Sequence, residues 1–255
     1  MRNLLDLSGK AILVTGASGG LGRHFAQRLA EAGARVVAAA RRGAELETLV
    51  AEIGAAGGTA HFVVMDVADM ASVQAGVAEA VRLTGGLDGL VNNSGVTETV
   101  PLLDQTEAGW DRVLDTNLKG AWAVATETAR HMVAACNGGA IVNIASVLGL
   151  RQGGQLTAYA TSKAALVQLT KQMALEWARH GIRVNALAPG YIETDLNRAF
   201  FASEAGKAFA KRIPQRRLGQ PADLDGALLL LLSDAAAYIT GAVLPVDGGH
   251  LVSSL

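Results

Sequence analysis

The chain has 255 residues, half of them hydrophobic, with a formal net charge of −1 and a single cysteine, Cys136. That is enough apolar material for a sizeable core. The near-neutral balance supplies no global field for nucleic acid or an anionic membrane, and one thiol excludes an internal disulfide. Aromatic residues are scarce and small aliphatics abundant, which suits helices packed closely on a sheet. The opening MRNLLDLSGKAILVTG carries Asp6 and lacks the apolar run of a signal peptide. The aliphatic stretch ALLLLL at 227–232 is too short to span a bilayer. A cytoplasmic protein without nucleic-acid or membrane partners is expected.

Short Val- and Ile-rich runs at 11–15, 35–40, 60–65, 89–92, 140–145, 182–188 and 242–246 read as strands. Helix-like segments near 20–32, 44–55, 69–83, 103–135, 157–180 and 221–233 alternate with them. That alternation predicts βαβ units and a parallel sheet covered on both faces, a doubly wound α/β fold.

The first strand feeds directly into TGASGGLG, Thr15 to Gly22. Glycines there let a ligand approach the backbone, and the helix that follows offers free N–H groups and a positive dipole end. Gly16, Gly20 and Gly22 are spaced T-G-x-x-x-G-x-G, which is neither G-x-G-x-x-G nor a P-loop. Gly33 is placed for a left-handed helix end.

The second strand ends in AAARRGAEL. An acid here would hold a ribose 2′-hydroxyl, and an arginine would accept a 2′-phosphate. Ala40 stands in the acid's place, followed by Arg41 and Arg42, with no carboxylate to repel a phosphate. NADP(H) is therefore expected over NAD(H), with Arg41, nearest the strand end, as the phosphate ligand.

Asp69 and Ser72 lie near the start of the third helix, and Asp104 or Thr106 is placed to cap the helix near 107. That long helical stretch carries Asn117 in LDTNLKG, where asparagine is only a middling helix former. The fifth strand delivers Ser146 at its carboxyl end, where such sheets bind ligands and a hydroxyl can donate to a developing alkoxide. AYATSK then opens a helix with Tyr159 and Lys163 four residues apart on one face. A phenol has an unperturbed pKa of about 10, and an adjacent ammonium is expected to lower it. The region 190–220, above the carboxyl ends of the strands, reads as a lid within the same domain.

Taken together, TGASGGLG, NNSG at 92–95, Asn117, Ser146, Tyr159-x-x-x-Lys163, PGYIET at 189–194 and the terminal PVDGGH resemble the short-chain dehydrogenase/reductase family in order and spacing over nearly the whole chain. The nearest look is to bacterial β-ketoacyl-carrier-protein reductase-like and sugar or polyol dehydrogenase-like members. The resemblance implies one Rossmann-type domain over residues 1–255 with a seven-stranded parallel sheet. It also implies hydride transfer between a nicotinamide and a ketone or secondary alcohol.

Residue by residue, it implies a pyrophosphate site at Gly16, Ser18, Gly20, Leu21 and Gly22. Asp66 and Val67 are then at the adenine, and Asn93 is on the adenosine side. Pro189, Gly190, Ile192 and Thr194 are near the carboxamide. It further implies an Asn117–Ser146–Tyr159–Lys163 tetrad, in which Lys163 also holds the nicotinamide ribose and Asn117 helps hold a relay water. One departure is Ser94, where the family usually carries alanine.

The substrate pocket is expected from residues after the strands: Val96, Ser146, Leu148, Gln155, Tyr159, Tyr191 and Phe200, with Phe201 beside it. Arg151 reads either as a contact for a carboxylate or phosphate or as a surface residue. The resemblance implies a homotetramer. Five dispersed histidines show no metal-ligand spacing, and no serine lies in G-x-S-x-G. Two alternatives stand beside this reading: an NAD-preferring polyol, sugar or alcohol dehydrogenase, and a non-catalytic NADP(H)-binding sensor or scaffold.

Overall fold

A computed structural model of the chain describes residues 4–194 and 201–253. Seven parallel strands form one sheet in the order β3-β2-β1-β4-β5-β6-β7. They are β1 Ala11–Thr15, β2 Arg35–Ala40, β3 Thr59–Val64, β4 Gly89–Asn92, β5 Gly139–Ile144, β6 Ile182–Pro189 and β7 Val243–Val246. Each expected strand is present, displaced by at most one residue at either end.

The strands are apolar on both faces because both are covered. Ile12 and Val14 of β1 pack on one side with Val36 and Ala38 of β2. Phe25 and Leu29 of α1 (Gly20–Glu31), Leu46 and Leu49 of α2 (Gly43–Ala55) and the leucines of the helix 225–232 close that core. Leu13 points the other way. It meets Val73 and Val77 of α3 (Met70–Thr84), Val124 and Met132 of α5 (Gly120–Ala135) and Met173 of α6 (Thr157–Trp177). The period of two along each strand thus sorts its residues between two helical layers.

Helix ends follow local chemistry. Asp69 accepts from the Ala71 N–H, Thr106 accepts from the Gly109 N–H, and Gly33 adopts φ 91°. Thr106 therefore caps α4 (Glu107–Leu114), while Leu102–Asp104 forms a separate 3-10 turn.

The expected continuous helix over 103–135 is instead three pieces. A π turn, Asp115–Lys119, separates α4 from α5. Single π turns inside helices accompany functional sites, and this one carries Asn117. Beyond β6 come α7 (Glu204–Ala210), a 3-10 turn at Pro221–Leu224, and α8 (Asp225–Leu232). The strand order reverses between β1 and β4, so the crevice for a ligand opens at their carboxyl ends, Thr15 and Asn92.

Candidate active site

The turn after β1 is built by close approach. A Cβ on Gly16 (φ +68°) would lie 2.9 Å from the Asn93 Nδ2, and one on Gly22 would lie 2.3 Å from the Gly16 oxygen. Both must be glycine for the turn to fold onto β4. Gly20 (φ +53°) has nothing within 4 Å of its Cβ position, so that side stays open to a ligand. Gly19 is the N-cap of α1 and offers no side-chain cap. The first N–H groups of a twelve-residue helix thus face the opening with no side-chain partner, a donor set suited to a pyrophosphate.

Asn93 braces this turn from β4. Its Nδ2 donates to the Thr15 carbonyl (3.0 Å), and the Thr15 hydroxyl accepts from the N–H groups of Asn93 and Ser94, each at 3.0 Å. Leu21 packs against the core.

The two arginines after β2 diverge. Arg41 is 71% exposed at the side chain and sits 4.0 Å from the Asp66 carboxylate. Arg42 turns back over the glycine turn, donating to the Ser18 Oγ at 3.0 Å and reaching the Glu45 carboxylate at 3.2 Å. Carboxylates are therefore present after all, one beside each arginine, Asp66 from the loop after β3 and Glu45 from α2. Asp66 also accepts from the Ala68 N–H (3.0 Å), and Val67 is buried.

Ser146 leaves β5 and caps the short turn Val147–Gly149, accepting from the Leu148 N–H at 3.1 Å. Gly149 lets that turn lie on α6, since a Cβ there would be 2.8 Å from the Lys163 main-chain carbon. Ser146 thereby comes beside Tyr159.

Lys163 is 4% exposed, its Nζ donating to the Ile144 carbonyl at 2.7 Å and lying 5.7 Å from the centre of the Tyr159 ring. Burial brings its pKa down to about 8. Burial also pushes the Tyr159 phenol up, the Ser146 hydroxyl pulls it down, and the neighbouring Tyr191 raises it further. The expected lowering by Lys163 is not what the phenol shows. The ammonium is held toward Ile144 and the ring, and loss of hydration dominates at the phenol.

Asn117 is fully buried. Its Oδ1 accepts from the Val96 N–H (2.8 Å), and its Nδ2 donates to the Val96 carbonyl (2.9 Å) and the Ser162 Oγ (3.0 Å). Ser162 in turn donates to the Tyr159 carbonyl at 2.7 Å. Both amide hydrogens and the oxygen are thus engaged. Ser162 escaped the sequence reading although it sits inside the quoted AYATSK. Its cue was a small hydroxyl residue one turn after Tyr159 and next to Lys163.

Of the residues expected on the substrate side, Val96 is hydrogen-bonded to Asn117, Leu148 to Ser146, and Gln155 is exposed with φ 62°. Tyr191 joins Phe201, Phe209 and His250 in an aromatic cluster. Phe200 lies outside the described residues. Gly190 packs on Asp247, where a Cβ would be 2.7 Å from the Asp247 Cα, and Ile192 bridges to Gly219. Pro189 closes β6 and Thr194 follows the bridge. Among the described residues there is no group of His, Cys, Asp and Glu able to hold a metal ion, and no helix long and apolar enough to cross a membrane.

Residues 16–250 match the family described as Enoyl-(Acyl carrier protein) reductase. The chain is 39% identical over 252 residues to gluconate 5-dehydrogenase of Gluconobacter oxydans (strain 621H), covering 98% of each. It is 37% identical to a 3-oxoacyl-[acyl-carrier-protein] reductase of Thermotoga maritima, covering 97% of this chain and all of that one. The fold superposes with a TM-score of 0.94 on a gluconate 5-dehydrogenase from Burkholderia cenocepacia J2315 in complex with NADP and tartrate, at 39% identity and 98% coverage of each chain.

Proposed function

The chain belongs to the short-chain dehydrogenase/reductase family and is an oxidoreductase, and we propose that it interconverts a secondary alcohol and a ketone of a small polar substrate with NADP(H). The observation that carries this reading is the convergence of Ser146, Tyr159 and Lys163 on one pocket beside the open glycine turn. When bound, the nicotinamide supplies or accepts the hydride. Tyr159 donates its proton to the carbonyl oxygen in reduction and takes it back in oxidation. The Ser146 hydroxyl hydrogen-bonds the same oxygen and steadies the charge that develops on it. Lys163, fixed by the Ile144 carbonyl, keeps a positive charge next to the phenol and has two further donors for the ribose hydroxyls.

The glycine turn fits a pyrophosphate on three counts: the open face of Gly20, the uncapped start of α1, and the Ser18–Arg42 contact at its rim. Gly16, Ser18, Gly20, Leu21 and Gly22 would hold the phosphates, Asp66 and Val67 the adenine, and Pro189 to Thr194 the carboxamide side. Arg42 with Ser18 is better placed than Arg41 for a 2′-phosphate, because it already lies on the turn. NADP is also the cofactor named with the Burkholderia structure.

The names of the relatives span sugar acids and acyl thioesters, so the substrate is classed here only as a carbonyl or alcohol. The lid proposed over it spans 190–220, of which 195–200 lie outside the described residues, within a single domain of a cytoplasmic homotetramer. The test is a panel of ketones, hydroxy acids, polyols and acyl thioesters with NADPH, NADP, NADH and NAD, read at the nicotinamide absorbance. Turnover with the NADP(H) pair supports the reading. Turnover with NAD(H) alone replaces it with the NAD-preferring dehydrogenase, and none across the panel leaves a binding protein.

A further inference from the structure

One cluster beside the tetrad has no part in hydride transfer. Tyr191 meets Phe209 at 4.5 Å and His250 at 5.4 Å between ring centroids, and the His250 ring stacks on Phe209 at 5.9 Å. His250 is 8% exposed, and its Nδ1 is buried without a hydrogen-bond partner. A buried ring nitrogen left unpaired is costly, and a ligand is one way to satisfy it.

Arg151 stands against the same histidine. Its Nη1 donates to the His250 carbonyl and to the Ser253 Oγ (3.3 Å). Its Nε and Nη2 have no partner among the described residues, and those two groups form one edge of the guanidinium fork, the edge that grips a carboxylate with two parallel bonds. Arg23, Arg28, Arg42 and Arg217 each hold an acid; Arg151 holds none among the described residues, and neither does the exposed Arg212 just past α7.

The acid felt at His250 is Asp247. Its two oxygens already accept from the Gly249 N–H at 2.9 Å and the Leu251 N–H at 2.6 Å. The charge of Arg151 reaches Tyr191, and Tyr191 is felt in turn by Tyr159. Tyr191 thus feels the charge of Arg151 on one side and is felt by the proton donor on the other.

We propose that Arg151 and His250, walled by Tyr191 and Phe209, bind the carboxylate of the substrate, and that the substrate is a short hydroxy or keto acid. The site rests on the reading that Tyr159 faces a carbonyl or alcohol. Arg151 supplies the bidentate edge and His250 a single donor from Nδ1, while the aromatic rings keep water from the ion pair. The exposed Arg212, whose charge is felt at His250, draws the anion in. A neutral polyol of the same length would leave the guanidinium edge and the ring nitrogen unpaired, which is how such sites discriminate.

The experiment uses the full chain carrying Tyr159→Phe, loaded with NADP, titrated calorimetrically with D-gluconate and with D-glucitol, its neutral counterpart. Gluconate is expected to bind at least about tenfold more tightly, the scale of a charge-assisted hydrogen bond. Arg151→Gln should erase that preference while glucitol and NADP binding stay unchanged. His250→Leu, which keeps the main-chain oxygen that Arg151 bonds, should reduce the preference in part.

Equal affinity for acid and polyol overturns the proposal. So does an Arg151→Gln protein that loses acid and polyol alike, or a protein that takes up an acyl thioester and ignores the acid. Turnover of the same acids and polyols by the Tyr159-containing protein is read separately. Its absence there and with ketones and acyl thioesters would sink the proposed alcohol–ketone reaction, while the titrations still decide the carboxylate site.

Discussion

At the scale of the residue, Arg41 and Arg42 show how one side-chain direction changes an assignment. Both follow β2, and proximity to the strand end favours Arg41. The structure sends Arg41 toward Asp66 and folds Arg42 onto Ser18. Arg42→Ala is expected to raise the apparent constant for NADPH by about 10- to 100-fold, the loss of a charge-assisted phosphate contact. The constant for NADH should move far less. Arg41→Ala should leave the ratio of the two nearly unchanged. Steady-state kinetics with both cofactors checks this, and equal effects of Arg42→Ala on both would remove it from the 2′-phosphate site.

At the scale of the element, α6 is held to the π turn by a chain of buried bonds, Val96 to Asn117 to Ser162 to the Tyr159 carbonyl. Ser162→Ala removes the middle of that chain and leaves an Asn117 amide hydrogen buried without its partner. Stability should fall by about 1–3 kcal/mol, with kcat reduced more than the cofactor affinity, as read by urea denaturation and kinetics. An unchanged kcat would make the chain purely structural.

Strands and most helices were legible from sequence because period-two and helical patterns report burial directly. The Tyr159–Lys163 pairing was legible because four residues along a helix guarantee one face. The π turn was not. Its cause is long-range, the bonding of Asn117 to Val96 and the close approach of Gly120, whose Cβ would lie 2.8 Å from the Val67 oxygen. No local pattern in LDTNLKG encodes either contact. The Arg42–Ser18 and Arg151–His250 contacts escaped for the same reason, since each joins residues far apart along the chain.

At the scale of the whole molecule, the buried Lys163 couples the site to global stability. Burial holds its pKa at about 8 in the folded chain, below the ordinary lysine value of 10.5. Below 8 the folded state carries the full penalty of a buried ammonium. Between 8 and 10.5 the unfolded chain binds more protons, so stability rises with pH, and above 10.5 the penalty is gone. Relative to Lys163→Met, the protein should gain roughly 3 kcal/mol across that window, measured by chemical denaturation on either side of it. A gap that stays constant would show that burial does not lower the lysine's pKa.

Leu103, in the 3-10 turn before α4, and Leu175, on α6, are 99% and 76% exposed and suit the proposed homotetramer.

The central claim, that Tyr159 transfers the proton in a nicotinamide-dependent reaction, is tested most directly by Tyr159→Phe. Turnover is measured beside NADPH binding by fluorescence titration. The account predicts a loss of at least about 10²–10⁴-fold in kcat with NADPH affinity unchanged. Turnover near that of the tyrosine-containing protein would contradict it.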